Sequence, residues 1–210
     1  MALSSRVSQA WLDTRSTDRH TVFRPILIEA DNKAGLCLLR DVSPYGLRAE
    51  AFTDFACDAP VRVHFSTDLC LSGAIAWSHE EKIGVQFNQV IDVADLLSRF
   101  APGTGKGKVA RSQRLPIHCS ASLSANGRTA TFQLQDISQR GAKVCAQFLQ
   151  PGDEVDVQLD GLERRKAIVR WIEPQVAGLS FVRPLAFEEL ARWVACQQNV
   201  PLGACANTVA

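Results

Sequence analysis

Asp41-Val42-Ser43-Pro44-Tyr45-Gly46 occurs twice in this chain, returning as Asp136-Ile137-Ser138-Gln139-Arg140-Gly141 after 95 residues. Each copy has the form Asp-x-Ser-x-x-Gly and closes an alternating apolar run, so each offers a carboxylate, a hydroxyl and a glycine turn together. A repeat of near-domain length means two copies of one fold. Working outward, Ile75-Ala76-Trp77 matches Val169-Arg170-Trp171, and Val85-Gln86-Phe87 matches Leu179-Ser180-Phe181, both at an offset of 94. The two halves are therefore expected to share one element order, with domains at 1–105 and 106–210 and the boundary in the Gly-rich stretch 102–107.

The elements follow from local pattern. His20–Ala30 is rich in β-branched and apolar types and predicts a strand; residues 31–35 predict a turn, and Leu36–Asp41 the returning strand. Gly46 is read as breaking that run before Leu47–Glu50 resumes it, and 51–60 as a loop. Val61–Phe65, Leu69–Trp77 and Lys82–Phe87 are further strands. Residues 91–100 turn to helical spacing, with Val93, Leu96, Leu97 and Phe100 on one face. In the second half Leu115–Leu123, Thr129–Asp136, Ala142–Ala146, Val155–Leu159, Ala167–Trp171 and Gly178–Phe181 predict strands, with Asn126-Gly127 as a hairpin turn and Phe187–Val194 as a helix. Residues 1–18 read as a polar arm with a helical turn near Trp11, and 200–210 as a loose tail. Six or seven short antiparallel strands followed by one helix suggest a small closed β-barrel, all-β with short helices, present twice.

Composition narrows the function. Hydrophobic residues make up 46% and charged residues 21% of the 210 positions, ordinary for a globular protein. Net charge is +1, with 10 Lys/Arg against 13 Asp/Glu in 1–105 and 13 against 9 in 106–210. No concentrated basic patch points to nucleic acid or a membrane surface. No leader-like segment opens the chain and no apolar run is long enough to span a bilayer. The seven cysteines form no Cys-x-x-Cys pair, which suggests a reducing cytoplasm. Cys37, Cys70, Cys119 and Cys145 read as small buried hydrophobes. His20, His64, His79 and His118 show no spacing with Cys, Asp or Glu that suggests a metal or a hydrolytic triad, so no enzyme is expected.

An arginine pair gives the repeated motif its meaning. Arg15-Ser16-Thr17-Asp18-Arg19 reads Arg-x-x-x-Arg, and Arg19 precedes Asp41 by the same 22 residues that separate Arg114 from Asp136. Here the chain resembles, twice over, the PilZ family of receptors for the second messenger cyclic di-GMP. The resemblance implies tandem six-stranded antiparallel barrels, each with a trailing helix. It assigns Arg15 and Arg19 to guanine and phosphate contact and Asp41, Ser43 and Gly46 to a guanine-holding strand end. It also implies a cytoplasmic receptor or adaptor acting on a downstream protein in motility, envelope or biofilm regulation, with no cofactor beyond the nucleotide ligand.

The residue types suit such a ligand. A guanidinium forks onto guanine O6 and N7 or onto a phosphate. A carboxylate accepts from the guanine N–H edge, a serine hydroxyl adapts either way, and a glycine lets the backbone approach a flat base. In the second half Arg111, Arg114, Asp136, Ser138 and Gly141 are the matching set, but Ala110 stands where the first arginine belongs and Arg111 is out of step by one. A weakened or lost second site is expected. Counting from Arg24 would put His20 in the first-arginine place, so Arg15 and Arg19 are preferred.

Blander readings stand beside these. Asp41 and Asp136 can simply cap turns, and the arginines of the arm can be solvated charges. Arg48 and Lys143 either face the site or are ordinary exposed strand residues. Trp77 and Trp171 read as core, and Arg164–Lys166 as a solvated hairpin tip. A ligand-free barrel that binds another protein is the alternative function.

Overall fold

The computed structural model describes residues 19–31, 33–66, 68–100, 113–125, 127–145 and 148–198. The arm with Arg15 and Trp11, the 102–107 stretch, Arg111 and the 200–210 tail lie outside them. Two closed six-stranded barrels result. In the first, β1 (His20–Ala30), β2 (Lys33–Ser43), β3 (Gly46–Ala51), β4 (Pro60–Ser66), β5 (Leu69–His79) and β6 (Lys82–Phe87) close in the order β1-β2-β3-β6-β5-β4. The second, β7 (Leu115–Ala125), β8 (Arg128–Ser138), β9 (Gly141–Cys145), β10 (Glu154–Leu159), β11 (Arg165–Glu173) and β12 (Val176–Phe181), repeats that order. All strand pairs are antiparallel.

Alternation builds each core. In the first barrel Ile26, Ile28, Cys37, Leu39, Val63, Phe65, Ile75 and Val85 point inward and are essentially inaccessible. Full burial pushes the Cys37 thiol far above its ordinary range, so it behaves as a small hydrophobe. The helix α1 (Val93–Phe100) follows. Asp92 caps it by accepting from the amides of Ala94 (2.8 Å) and Asp95 (3.1 Å), and Val93 and Leu96 bury its apolar face. The Phe100 side chain is outside the described set. In the second barrel α2 (Phe187–Gln198) extends past the expected Val194 and buries Leu190, Ala191, Trp193, Val194 and Ala195.

That extra length matters because α2 reaches the first barrel. Gln198 exchanges two hydrogen bonds with the backbone of Ala34, its Nε2 donating to the carbonyl and its Oε1 accepting from the amide at 3.2 Å. Arg192 pairs with Glu81 at 2.8 Å and stacks over Phe52 at 4.6 Å. Leu27 and Leu36, opposite each other on β1 and β2, leave their own barrel's interior and join the second barrel's apolar cluster. Gln113 adds a bond from its Nε2 to the His64 carbonyl at 3.3 Å.

Several expectations change. Gly46 does not break the run; it is the first residue of β3, opposite Ser43, and the turn is Pro44-Tyr45. Gly141 does the same opposite Ser138. Cys70 is exposed, because its stretch of β5 alternates and this position faces outward; Cys119 and Cys145 are only half-buried. Arg165 is no solvated tip residue: its side chain is 18% exposed and its Nη2 donates to both carboxylate oxygens of Glu189 of α2, at 2.5 and 2.7 Å.

Candidate ligand-binding site

Register decides where the motif residues go. Val42, Leu47, Val85 and Ile75 are direct partners in a row across β2, β3, β6 and β5, and all four are buried inward. The adjacent row must then face outward, and it reads Asp41, Arg48, Gly84, Trp77. The second barrel repeats this, with Ile137, Ala142, Leu179 and Val169 inward and Asp136, Lys143, Gly178 and Trp171 outward. Irregularities between Leu39 and Asp41 and between Ile75 and Trp77 each pass over one residue, and such bulges re-aim side chains beside functional sites.

Asp41 lies on the outer face and yet its side chain is only 6% exposed. Two guanidinium groups cover it. Arg19 holds Oδ1 at 2.8 Å, and Arg48 holds Oδ2 at 2.6 Å. Both arginines remain about half exposed, at 45% and 51%, so each keeps donors free to meet a ligand. The Ser43 hydroxyl donates to the Gly46 carbonyl at 3.2 Å, across the Pro44-Tyr45 turn. Gly46 is required by close approach, since a Cβ there would sit 2.3 Å from the Val85 carbonyl oxygen. The same turn is tied to the end of β6 and the chain beyond it: the Tyr45 carbonyl accepts from Phe87 and the Pro44 carbonyl from Ile91, both at 2.9 Å. The motif therefore sits against the segment that leads into α1.

At the far end of the row Trp77 is half-buried and lies flat on Gly84, where a Cβ would meet the indole Nε1 at 2.1 Å. This corrects the reading of Trp77 and Trp171 as core: both stand on the outer face, and Gly178 makes room for Trp171 in the same way. The signal was present in the sequence, because Trp77 to Gly84 and Trp171 to Gly178 keep one spacing in both halves. Arg48, for which two readings were open, is half exposed and pairs with the motif carboxylate of Asp41.

In the second barrel Arg114 reaches Asp136 at 2.7 Å, and Ser138 donates to the Gly141 carbonyl at 3.2 Å. Two features differ. Asp136 is 21% exposed, and Lys143 leans over the Trp171 ring with Nζ 5.9 Å from its centroid. Arg15 and Arg111 lie outside the described residues.

Other clusters offer less. The Cys70 sulfur lies 3.9 Å from His64 Nε2, but that same nitrogen is 3.0 Å from Glu29, and the Cys70 thiol is raised, first by desolvation. A base whose one facing nitrogen is shared with a carboxylate is poorly set to activate a thiol. Among the described residues no group of three or more His, Cys, Asp or Glu is placed to hold a metal ion, and no helix is long and apolar enough to cross a membrane.

The family model for the PilZ domain matches residues 13–101 and again 108–196. The chain belongs to the PilZ domain family, in two consecutive copies. Among solved structures it is similar to PlzA of Borreliella burgdorferi, solved in complex with c-di-GMP, at 12% identity and a TM-score of 0.37, covering 92% of this chain and 99% of that one. The inhibitor of motility MotI/DgrA of Bacillus subtilis is similar at 16% identity and 0.33, covering 85% and 98%. YcgR of Escherichia coli, in complex with c-di-GMP, is similar at 14% identity and 0.32, covering 81% of each chain. A search of the curated proteins found no match.

Proposed function

We propose that this protein is a cyclic di-GMP receptor whose principal site is the outer row of the first barrel. The observation that carries the reading is the carboxylate of Asp41 bracketed by Arg19 and Arg48, in one outer row with the half-buried indole of Trp77. A doubly anionic guanine dinucleotide needs cations for its phosphates, an acceptor for the guanine N–H edge and a flat surface for a base. Arg19, with Arg15 of the preceding arm, turns from Asp41 to phosphate and guanine O6/N7. Asp41 accepts from the guanine edge while Arg48 keeps the carboxylate in place. Ser43 and Gly46 shape the turn that lets a base approach, and Trp77 offers its ring. Arg111, Arg114, Asp136, Ser138 and Gly141 form a weaker second site.

Binding draws the arm onto the barrel, and the turn's bonds to the segment before α1 carry the change onward. The output is a contact with a downstream protein, in motility, envelope or biofilm regulation, in the cytoplasm. Nothing in this reading requires catalysis, a metal or nucleic acid. Titration calorimetry tests it: saturable binding of cyclic di-GMP by the full chain is expected, with loss of at least tenfold in affinity in Arg19→Ala. Undiminished binding in that variant refutes the site.

A ligand-free adaptor is the competing reading, and the second barrel favours it. There Ala110 replaces the expected arginine and Lys143 sits on the indole. The same titration separates the two, since an adaptor binds no nucleotide at any concentration. In a combined form the first barrel senses and the second docks the partner.

A further inference from the structure

We infer that the residue two places after the motif glycine, Arg48 in the first barrel and Lys143 in the second, decides which barrel accepts a nucleotide base. This rests on the receptor reading above and goes beyond it, because it assigns a selecting residue to each barrel.

The two outer rows are matched everywhere else. Each begins with an arginine on an aspartate, Arg19 on Asp41 at 2.8 Å and Arg114 on Asp136 at 2.7 Å. Each ends with an indole laid on a glycine, where a Cβ would come within 2.1 Å of the ring in both barrels. The cation between them stands directly opposite the aspartate on one side and the glycine on the other. Its destination differs. Arg48 turns to the carboxylate and holds Asp41 Oδ2 at 2.6 Å, and among the described residues no cation stands over Trp77. Lys143 turns the other way, with its ammonium 5.9 Å from the Trp171 centroid. Asp136 is left more exposed than Asp41, at 21% against 6%.

The chemistry of the two cations accounts for this. A guanidinium is planar and forked, so it can lie along a carboxylate oxygen and still present further donors outward. An ammonium is a point charge on a flexible stem, and an aromatic face is a good seat for it. A purine base and an ammonium compete for one ring face. In the first barrel the cation has been drawn off the indole by Asp41, which leaves the face to a base. In the second barrel the protein's own lysine occupies that face, and the carboxylate that would receive the guanine edge has lost its second support. Lys143 thus acts as a built-in competitor.

The test uses the full chain and cyclic di-GMP, in calorimetry and tryptophan fluorescence, on wild type, Arg48→Lys, Lys143→Arg and Lys143→Ala. Thermal melts check that each variant folds. The expected result is one tight site in wild type, weakened roughly fivefold or more in Arg48→Lys, the order of loss when a cation–π contact must be displaced. Lys143→Arg is expected to tighten binding at the second barrel, to an affinity still below the first because Ala110 stands where the first arginine belongs. Without ligand, Lys143→Ala is expected to change the emission of Trp171, and a Trp171→Phe background to abolish that change. Absence of binding by wild type overturns the receptor reading and this inference with it. Wild-type binding that Arg48→Lys and Lys143→Arg both leave unchanged in affinity and stoichiometry overturns this inference alone.

Discussion

At the scale of single residues, the motif glycine is the informative position. Gly46 and Gly141 adopt no left-handed backbone; among the described residues the left-handed glycines are Gly127, Gly152 and Gly161. What excludes a side chain at the motif is the facing strand, whose Val85 or Leu179 carbonyl oxygen would lie 2.3 or 2.1 Å from a Cβ. Backbone atoms in a closed sheet cannot retreat as a flexible side chain can. Gly46→Ala is therefore expected to destabilise the protein by about 1–3 kcal/mol, as overpacking does. At roughly 2–4 °C per kcal/mol for a chain this long, a calorimetric melt resolves the loss. An unchanged melting temperature would show that β3 and β6 separate without cost. The motif was legible as residues, since Arg19 and Arg114 meet Asp41 and Asp136 at the spacing read from the sequence. The reason for its glycine was not. A turn and a close approach look identical until the register of β3 on β6 is known.

Among the elements, β5 and α2 show why some readings failed. Trp77 and Cys70 sit in an apolar-rich strand, and an apolar run suggests burial for every member. Alternation and the irregularity after Ile75 turn Trp77 outward, and neither can be placed without the partner strand. In α2 the polar ending Cys196-Gln197-Gln198 hid a final turn that is helical because it reaches Ala34 of the other barrel. Tertiary contact, rather than periodicity, holds that turn. The helix also carries Glu189, whose two carboxylate oxygens fork onto Arg165 Nη2 while Arg165 Nε has no partner of its own. Removing the carboxylate leaves a guanidinium only 18% exposed without compensation. Glu189→Ala is expected to cost about 1–3 kcal/mol, below a fully buried pair because both groups retain some water. Glu188→Ala, which breaks an exposed pair with Arg192 one turn away, is expected to leave the melt unchanged. Equal effects from the two would deny the forked pair any special part.

For the whole molecule, the repeat leaves open whether the two barrels face each other, and the packing joins them. Leu27 and Leu36 belong by sequence to the first barrel and by contact to the second barrel's apolar cluster, with Ala34 and Phe52 packed beside them. Each of those leucines is 5% or less exposed, so separating the barrels puts apolar surface into water at about 25 cal/mol per Å². Arg192 and Gln198 add polar latches at the edge of the same face. Two domains that share a buried apolar face unfold together when the shared term exceeds the difference in their own stabilities. Wild-type protein is thus expected to melt in one calorimetric transition with equal calorimetric and van't Hoff enthalpies. Leu36→Asp, which sets a carboxylate into that face, is expected to split the melt in two, because a buried unpaired charge costs more than the docking returns. The strand end that bears Asp41 and Ser43 and the strand start that bears Ala34 and Leu36 are one element, β2. A ligand that tightens the first end therefore acts on the same strand that seats α2, and nucleotide is expected to raise the single transition of wild type while raising only one of the two in Leu36→Asp. Two transitions in the wild-type protein would mean that the shared face is too weak to couple the barrels.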